Sequence, residues 1–457
     1  MSGYVEYREV NLPWLKTVPA HWEIRRNKNI FTEQKEIVGE RSADYTLLSL
    51  TLNGIIPRDM DGGGKFPESF DKYKIVKNGD MAFCLFDIDE TPRTVGLSGY
   101  DGMLTGAYTI MRVSNINARF IFYYYLALDN SKMLRPLYTG LRKTININTF
   151  QSTKVPVPPR EEQNQIVRFL DWKVSNINKL INIKKKQVSA YKELRKAIID
   201  QGILHGFRKS EKKDSGVYWL GEIPATWEVL SLKRICRVNA TIAYSVKTKE
   251  DSELVTFLPM ENVTETGEID CSIKKKIAEV RNGFSSFAKG DVVVAKITPC
   301  FENGKGACLN TLDTDIGFGT TEFINLRPSD KVLSEYLYMI TMTRPFRKLG
   351  EEVMTGSAGQ KRVSVNYIKN FTLGIPTVEE QKSILAEIEQ KLIQIDKVIG
   401  IEHANIKNLQ ELKTRIISDV VTGKIDVRLV DIPEYEYIDE QSNDETDGEE
   451  GIEEQED

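Results

Sequence analysis

The chain has 457 residues, 40% hydrophobic and 28% charged, which is too long for one ordinary core and predicts two or more globular domains. No apolar run approaches the roughly 18 residues of a membrane span, and the start MSGYVEYREV lacks a signal-peptide layout. Five cysteines without a Cys-x-x-Cys pair predict a reduced, cytoplasmic protein without a structural zinc, and exclude a secreted disulfide scaffold. The net charge of −4 hides an asymmetry. Residues 431–457 hold 14 Asp/Glu and no Lys/Arg, so residues 1–430 carry +10, a balance that suits an anionic partner such as nucleic acid.

In chain order, the first distinctive stretch is WLKTVPAHWEI (14–24), which returns 205 residues later as WLGEIPATWEV (219–229). Two indoles around a proline turn read locally as a packing joint. NGIIPRDMDGGGKF (53–66) is a Gly-rich loop with no counterpart in the second half. NGDMAFCLF (78–86) matches KGDVVVAKI (289–297), a Gly-Asp turn entering an apolar strand, and TGAYTIMRV (105–113) matches TTEFINLRP (320–328). Short helices are predicted near 118–130 and 331–343. YTGLRKTININ (138–148) then matches MTGSAGQKRVSVN (354–366), and VPVPPREEQNQI (155–166) matches LGIPTVEEQKSI (373–384). Between these blocks, residues 32–78 and 237–289 look unrelated.

A long helix is predicted after each Pro…Glu-Gln block. Apolar residues fall at Ile166, Leu170, Val174, Ile177, Ile181, Val188, Tyr191, Leu194 and Ile198, and 218 residues later at Ile384, Ile388, Leu392, Ile395, Ile399, Ile406, Leu409, Leu412 and Ile416. Spacings of three, four and seven give a stripe of coiled-coil length. Thr377 and Glu380 offer a capping box, Pro159 suits a first helical turn, and Gly202 with Gly206, and Gly423, supply stops. Lys184 interrupts the first stripe and its equivalent Glu402 the second, at the one position where equivalent residues of an antiparallel pair would meet. An antiparallel pairing with Lys184 near Glu402 is therefore expected. The fold class is α+β, with two homologous globular domains separated by two long helices forming an antiparallel coiled coil. Its parts are 1–158, helix 159–206, 207–376, helix 377–424, and an acidic tail 425–457 whose composition predicts disorder.

No catalytic constellation is visible. There is no Gly-x-x-x-x-Gly-Lys-Ser/Thr phosphate loop, GFG (317–319) reads as a strand-end turn, and FENGKG (301–306) as a solvated loop. His21, His205 and His403 show no metal or triad spacing, and His21 reads as a packed turn residue. What recurs instead is a basic, amide-bearing, Gly-rich loop before each long helix. The first has Gly140, Arg142, Lys143, Asn146 and Asn148, with Arg135 nearby; the second has Gly356, Gln360, Lys361 and Arg362, with Arg344, Arg347 and Lys348 nearby. Glycine lets backbone approach a phosphate, Lys and Arg neutralise it, and Arg, Gln and Asn can pair with base edges. These residues are the candidate DNA contacts.

DSGVYWLGEIPATWEVLSLKRI (214–235), VPVPPREEQNQI and LGIPTVEEQKSI resemble the hallmarks of specificity subunits of type I restriction–modification enzymes, over nearly the whole chain to about residue 424. The resemblance implies that 1–158 and 207–376 are target recognition domains, each reading one half of a bipartite double-stranded DNA site. It implies that the helices act as spacer and dock two methyltransferase subunits, joined by restriction/translocase subunits. It also implies a non-catalytic chain with no cofactor of its own, S-adenosylmethionine, ATP and Mg²⁺ belonging to the partners. About 45 helical residues at 1.5 Å each span roughly 65 Å, enough to separate two reading units by one DNA turn. The first copy departs from the pattern at Lys16, where the family usually has glycine, and the acidic tail is no family hallmark. A protein–protein scaffold without DNA contact and a stand-alone restriction enzyme are the alternatives.

Overall fold

The computed structural model describes residues 3–52, 54–58, 67, 69–138, 143–242, 249–357 and 360–439. The chain divides into two units: unit 1 comprises residues 1–187 and 402–457, unit 2 residues 188–401.

Unit 1 starts with an antiparallel hairpin, β1 (Tyr7–Leu12) and β2 (Leu15–Pro19), followed by β3 (Glu23–Arg26), β4 (Phe31–Gln34), β5 (Leu48–Thr51), β6 (Gly54–Pro57), β7 (Lys74–Val76), β8 (Asp80–Phe83), β9 (Val95–Leu97), β10 (Gly102–Leu104) and β11 (Thr109–Val113). The helix Ala118–Asn130 follows, and β12 (Lys154–Val157) returns to pair with β3 before the first long helix, Arg160–His205. A four-stranded sheet ordered β4-β11-β8-β9 forms the inner layer. The outer layer is made of the antiparallel pairs β5-β6 and β7-β10, linked by a parallel bridge between Leu47 and Met103.

Unit 2 repeats this strand for strand: β13 (Lys212–Asp214), β14 (Glu222–Pro224), β15 (Glu228–Ser231), β16 (Cys236–Val238), β17 (Leu254–Leu258), β18 (Lys274–Lys276), β19 (Ser285–Ala288), β20 (Val292–Ala295), β21 (Gly306–Cys308), β22 (Ile316–Gly319), β23 (Phe323–Pro328), the helix Ser334–Met342, and β24 (Thr372–Ile375) pairing with β15. The second long helix, Val378–Val421, follows. The inner sheet is ordered β16-β23-β20-β21 and the outer β18-β17-β22-β19, with β17 and β22 parallel. The stretches that look unrelated in sequence thus carry the same strands, because pairing is made by main chain. GFG lies inside β22 rather than at a turn; Gly317 and Gly319 leave Phe287 room that a Cβ would take.

The matched blocks hold equivalent contacts. Gly79 and Gly290 both adopt φ near +86°, the left-handed region glycine enters without strain. That turn aims the following carboxylate inward. Asp80 accepts from the Lys77 N–H and from Arg112 Nε at 3.1 Å; Asp291 accepts from the Ala288 N–H and from Arg327 Nε at 2.8 Å. Both aspartates are buried, so pairing with the arginine of the neighbouring strand satisfies a charge that would otherwise be costly to desolvate.

The helix pairing is antiparallel within each unit. In unit 1, Ile166, Leu170 and Val174 share a core with Ile417, Val420 and Val421, and Lys184 Nζ lies 3.0 Å from Glu402 Oε2, as the two stripes predict. A hydrogen bond from Asn405, with Lys184, holds the Glu402 carboxyl below the ordinary carboxylate range. In unit 2, Ile199 and Ile203 pack with Ile384, Ile388 and Leu392, and Arg195 pairs with Asp396 at 3.3 Å. Gly206 (φ 67°) and Gly423 (φ 76°) end the helices; Gly202 is no stop but lies within the first, where a Cβ would meet Ile388 at 2.8 Å.

The Trp signatures are the joints of this arrangement. Trp22 Nε1 donates to Glu162 Oε1 at 2.9 Å and Trp227 Nε1 to Glu380 Oε1 at 3.1 Å, each glutamate lying in the first turn of a long helix. Thr377 does cap the second helix by accepting from the Glu380 N–H at 3.3 Å, but the Glu380 side chain goes to the indole instead of completing the capping box. The benzo edge of each indole lies where a Cβ on the glycine that ends the opposite helix would come within 3.3 Å, Gly423 for Trp22 and Gly206 for Trp227. Gln163 and Gln381 add a second tie, accepting from the Asn117 and Leu333 N–H groups at the starts of the short helices. His21 is more than a packed turn residue, since its Nε2 lies 2.7 Å from Glu162 Oε2, beside a 2.6 Å bond from Tyr4 Oη to Glu162 Oε1.

The tail differs from expectation. Residues 424–439 form an ordered strap on the first long helix of unit 1 rather than a disordered segment starting at 425. Val427 is fully buried, and Ile425, Val430 and Ile432 pack on the unit 1 core. Residues 440–457 lie outside the described residues.

Candidate nucleic-acid interface

In both units the chain leaving the central strand of the inner sheet is met by the Gly-rich loop that precedes the last strand. The Ile145 N–H donates to Leu85 O at 2.7 Å in unit 1, and the Val363 N–H to Lys296 O at 2.9 Å in unit 2. The repeated loops thus occupy the same place in the frame, attached by main chain and free to vary in side chain.

In unit 2 the loop is a narrow hairpin. Thr355 and Arg362 bridge, Gln360 N–H donates to Ser357 O at 3.0 Å, and Thr298 N–H donates to Lys361 O at 3.0 Å. Gly356 sits at φ 137°, and a Cβ there would lie 2.7 Å from Gln360 O, so the hairpin closes only on glycine. Arg362 grips Glu322 through Nε at 2.9 Å and Nη2 at 3.0 Å, a two-point contact that holds the Glu322 carboxyl below its usual range. Lys361, beside the bridging Arg362, is exposed.

In unit 1, Lys143 adopts φ 46° and its Nζ pairs with Glu90 at 2.9 Å, while Arg135 pairs with Asp89 at 2.5 Å. Asn146 is the N-cap of the helix Ile147–Ser152, its side chain accepting from the Asn148 N–H at 2.9 Å. Gly140 and Arg142 lie outside the described residues.

Two candidates in unit 2 do other work. Arg347 is buried in the helix Arg344–Glu352, donating to Phe301 O at 2.8 Å and Gly304 O at 3.3 Å with its guanidinium over the Phe301 ring at 4.8 Å. Burial pushes its pKa down to about 10, and only 8% of the residue is exposed. It props the FENGKG turn from inside. There Glu302 accepts from Thr298 and Lys305 donates to Met260 O, so the turn holds no acid–lysine pair. Arg344 is anchored to Asp200 of the first long helix, which also accepts from the Arg344 N–H at 2.9 Å. Both were legible only as charge near a loop; the apolar spacing of Phe346 and Leu349 was the available signal that this segment is a packed helix.

Two surfaces carry features that loop charge did not indicate. On the outer sheet of unit 2, β18 is an edge strand of three lysines, with Lys275 Nζ 4.1 Å from the Phe257 ring and Phe284 stacked edge-on against Phe257. Its counterpart β6 in unit 1 reads Gly-Ile-Ile-Pro. On the helices, Leu180 and Leu412 of unit 1 are 48% and 45% exposed, and their equivalents 218 residues away in unit 2, Val398 and Leu194, line an open groove with Tyr191, Ile198, Phe207 and Ile395. Apolar residues left in the open at equivalent positions of both units are candidates for covering by a partner.

A family model described as type I restriction modification DNA specificity domain matches residues 94–190 and 224–411, more than half of the chain. The Escherichia coli type I restriction enzyme EcoAI specificity subunit is 38% identical over 180 residues, covering 39% of this chain; the EcoEI subunit is 35% identical over the same length. In both comparisons the chain spans about 30% of the relative's length. The MjaVIII specificity subunit of Methanocaldococcus jannaschii is 25% identical over 441 residues, covering 92% of this chain and 97% of that protein. Among solved structures, a chain from work on complex assembly and conformational transition of the type I R-M system superposes with a TM-score of 0.55 at 14% identity, covering 89% of this chain and 99% of that one.

Proposed function

Since the chain belongs to the type I restriction–modification DNA specificity family, we propose that it is the non-catalytic reader of such a system, each unit recognising one half of a bipartite duplex site. The observation that carries this reading is the repeated inner frame under dissimilar outer layers. A shared frame would place two readers alike on DNA, and different outer strands and loops would give each its own half-site. Loop cations such as Lys361 and Lys143 would neutralise phosphates and position the units, while base selection falls to the outer layers. The paired helices set the spacing of the units and dock two methyltransferase subunits, one on each copy of the exposed apolar surface around Leu180 and Leu412, and around Leu194 and Val398. Restriction/translocase subunits join this core. S-adenosylmethionine, ATP and Mg²⁺ act in the partners, and the assembly works in the cytoplasm.

The test is duplex binding by the purified chain with its methyltransferase partner across a salt series. Affinity falling steeply with salt, with a slope that tracks several neutralised phosphates, is expected. Salt-independent binding, or none, would favour a scaffold that never meets DNA. Nuclease activity of the chain alone with Mg²⁺ would overturn the non-catalytic assignment.

A further inference from the structure

Arg362 is fixed at both its main chain and its side chain. Its main chain bridges to Thr355 and to Ile297, with the Arg362 N–H donating to Thr355 O at 2.8 Å. Its guanidinium engages the two oxygens of Glu322 through Nε and one N–H of Nη2, and Gln360 O through one N–H of Nη1 at 3.2 Å. Glu322 is itself tied down, its N–H donating to Thr320 Oγ1 at 3.2 Å and its carbonyl accepting from the Lys296 N–H at 2.9 Å. A guanidinium carries five N–H donors in one plane, so two of them, one on each terminal nitrogen, have no partner among the described residues. The Arg362 side chain is 42% exposed and Glu322 23%, so the carboxylate is the more enclosed member of the pair.

The duplicated frame supplies a control. The matched blocks put Ala107 at the position of Glu322 and Thr144 at that of Arg362, whereas Lys361 has Lys143 as its equivalent. The lysine is common to both units; the arginine and its carboxylate occur together in unit 2 and are replaced together in unit 1. Contacts to phosphate carry no sequence information and serve both units alike, whereas a contact that differs between the units can distinguish two half-sites. Charge points the same way. A carboxylate bonded at two points offsets the charge that a phosphate would seek, yet leaves the direction of the remaining donors fixed.

We infer that Arg362 reads a guanine in the half-site of unit 2, its two remaining N–H groups donating to O6 and N7 in the major groove, with Glu322 as the positioning residue that holds the guanidinium. Guanine alone offers two neighbouring acceptors on that edge; adenine and cytosine present a donor there, and thymine a single acceptor beside its methyl group. The inference rests on the reader function proposed above, and it adds to the outer layers one reading residue carried by the frame loop.

Mapping of methylated DNA in cells expressing the full chain with its methyltransferase partner is the test. The native chain should give a bipartite site with a fixed guanine in one half. Arg362→Lys keeps the charge but loses the fork, and should relax that position alone, admitting bases that the native chain disfavours by about tenfold or more. Glu322→Gln should relax the same position, and the double variant no further than Arg362→Lys, because both act through one contact. Circular dichroism verifies the fold of each variant, and Glu322→Gln carries the test if Arg362→Lys does not fold. Native sequence preference in Arg362→Lys, which a phosphate contact would retain, overturns the inference. So does a folded variant that methylates all sites less without relaxing any, which marks a purely structural role. In a second arm, the purified complex binds duplexes of the native site in which 7-deazaguanine, which lacks the N7 acceptor, replaces each guanine in turn. One replacement should weaken the native complex by about tenfold and leave the Arg362→Lys complex unaffected. The absence of any such position contradicts the inference. A native chain without a bipartite site sinks the reader function and the inference with it, whereas a bipartite site that the variants leave unchanged sinks the inference alone.

Discussion

The two units spend their chain differently on one plan. In unit 1 two residues separate β5 from β6 and the long connection follows β6, running from 58 to 73; in unit 2, fifteen residues separate β17 from β18, and eight, including the helical turn Ile277–Val280, lead on to β19. The inner sheets show no such divergence, each keeping its Gly-Asp turn, its buried Asp–Arg pair and its indole-to-glutamate joint. The difference separates what the fold needs from what recognition can vary. Groups that must be satisfied in the core recur as pairs, and the outer strands, paired by main chain, tolerate any side chain that fits one face. The joints themselves also differ: Glu162 receives Tyr4, His21 and Trp22, whereas Glu380 receives Trp227 with Thr226 beside it. Unit 1 holds the chain's first residues and its strap, and has the more heavily tied joint.

Breaking a joint should have the largest effect. Trp227→Ala removes a fully buried indole and is expected to destabilise unit 2 by about 3–5 kcal/mol in denaturant unfolding. Trp22→Ala should cost unit 1 less than its cavity implies only if the extra bonds at Glu162 hold the joint; equal losses would mean those bonds add nothing. Arg347→Gln comes next. Leaving two carbonyls and the Phe301 face without their buried partner should lower stability by about 2–4 kcal/mol. The salt slope of duplex binding should not change, whereas a changed slope at native stability would return Arg347 to the DNA contacts.

Lys184→Glu should cost about 1 kcal/mol by placing like charges at the helix crossing, and the exchange Lys184→Glu with Glu402→Lys should restore most of it. Failure of the exchange would mean that the pair does not set register. Lys361→Ala should leave stability unchanged while lowering the salt slope by about one and weakening duplex binding uniformly across sequences. The Glu322–Arg362 contact gives the smallest signal. A lowered carboxylate pKa contributes stability above the unfolded-state value that is lost as pH falls through the folded-state value, so Arg362→Gln should flatten the acid limb of unit 2 stability.

The long helices, their antiparallel sense and the Lys184–Glu402 contact were legible because a stripe repeated at a constant offset leaves one crossing where equivalents meet. The Glu-Gln motif was visible but its use was not: Glu162 serves an indole 140 residues away, a separation no local pattern encodes. The strap was missed because its acidic composition reads as disorder, while its docking relies on Ser175, Asn178 and Asn182 binding main chain, which carries no sequence signal. Among the site residues, charge in a Gly-rich loop located Lys361 and Lys143 at the surface but could not separate them from Arg347, whose helix turns its guanidinium into the core.

The measurement that bears most directly on the division into shared frame and variable outer layer is long-read mapping of methylated DNA in cells expressing the chain with its methyltransferase partner. The native chain should give two half-sites separated by a stretch of fixed length and free sequence, and Lys275→Ala with Phe284→Ala in the outer sheet of unit 2 should relax one half-site and leave the other intact. A continuous site, or a variant that alters both halves together, would contradict the account.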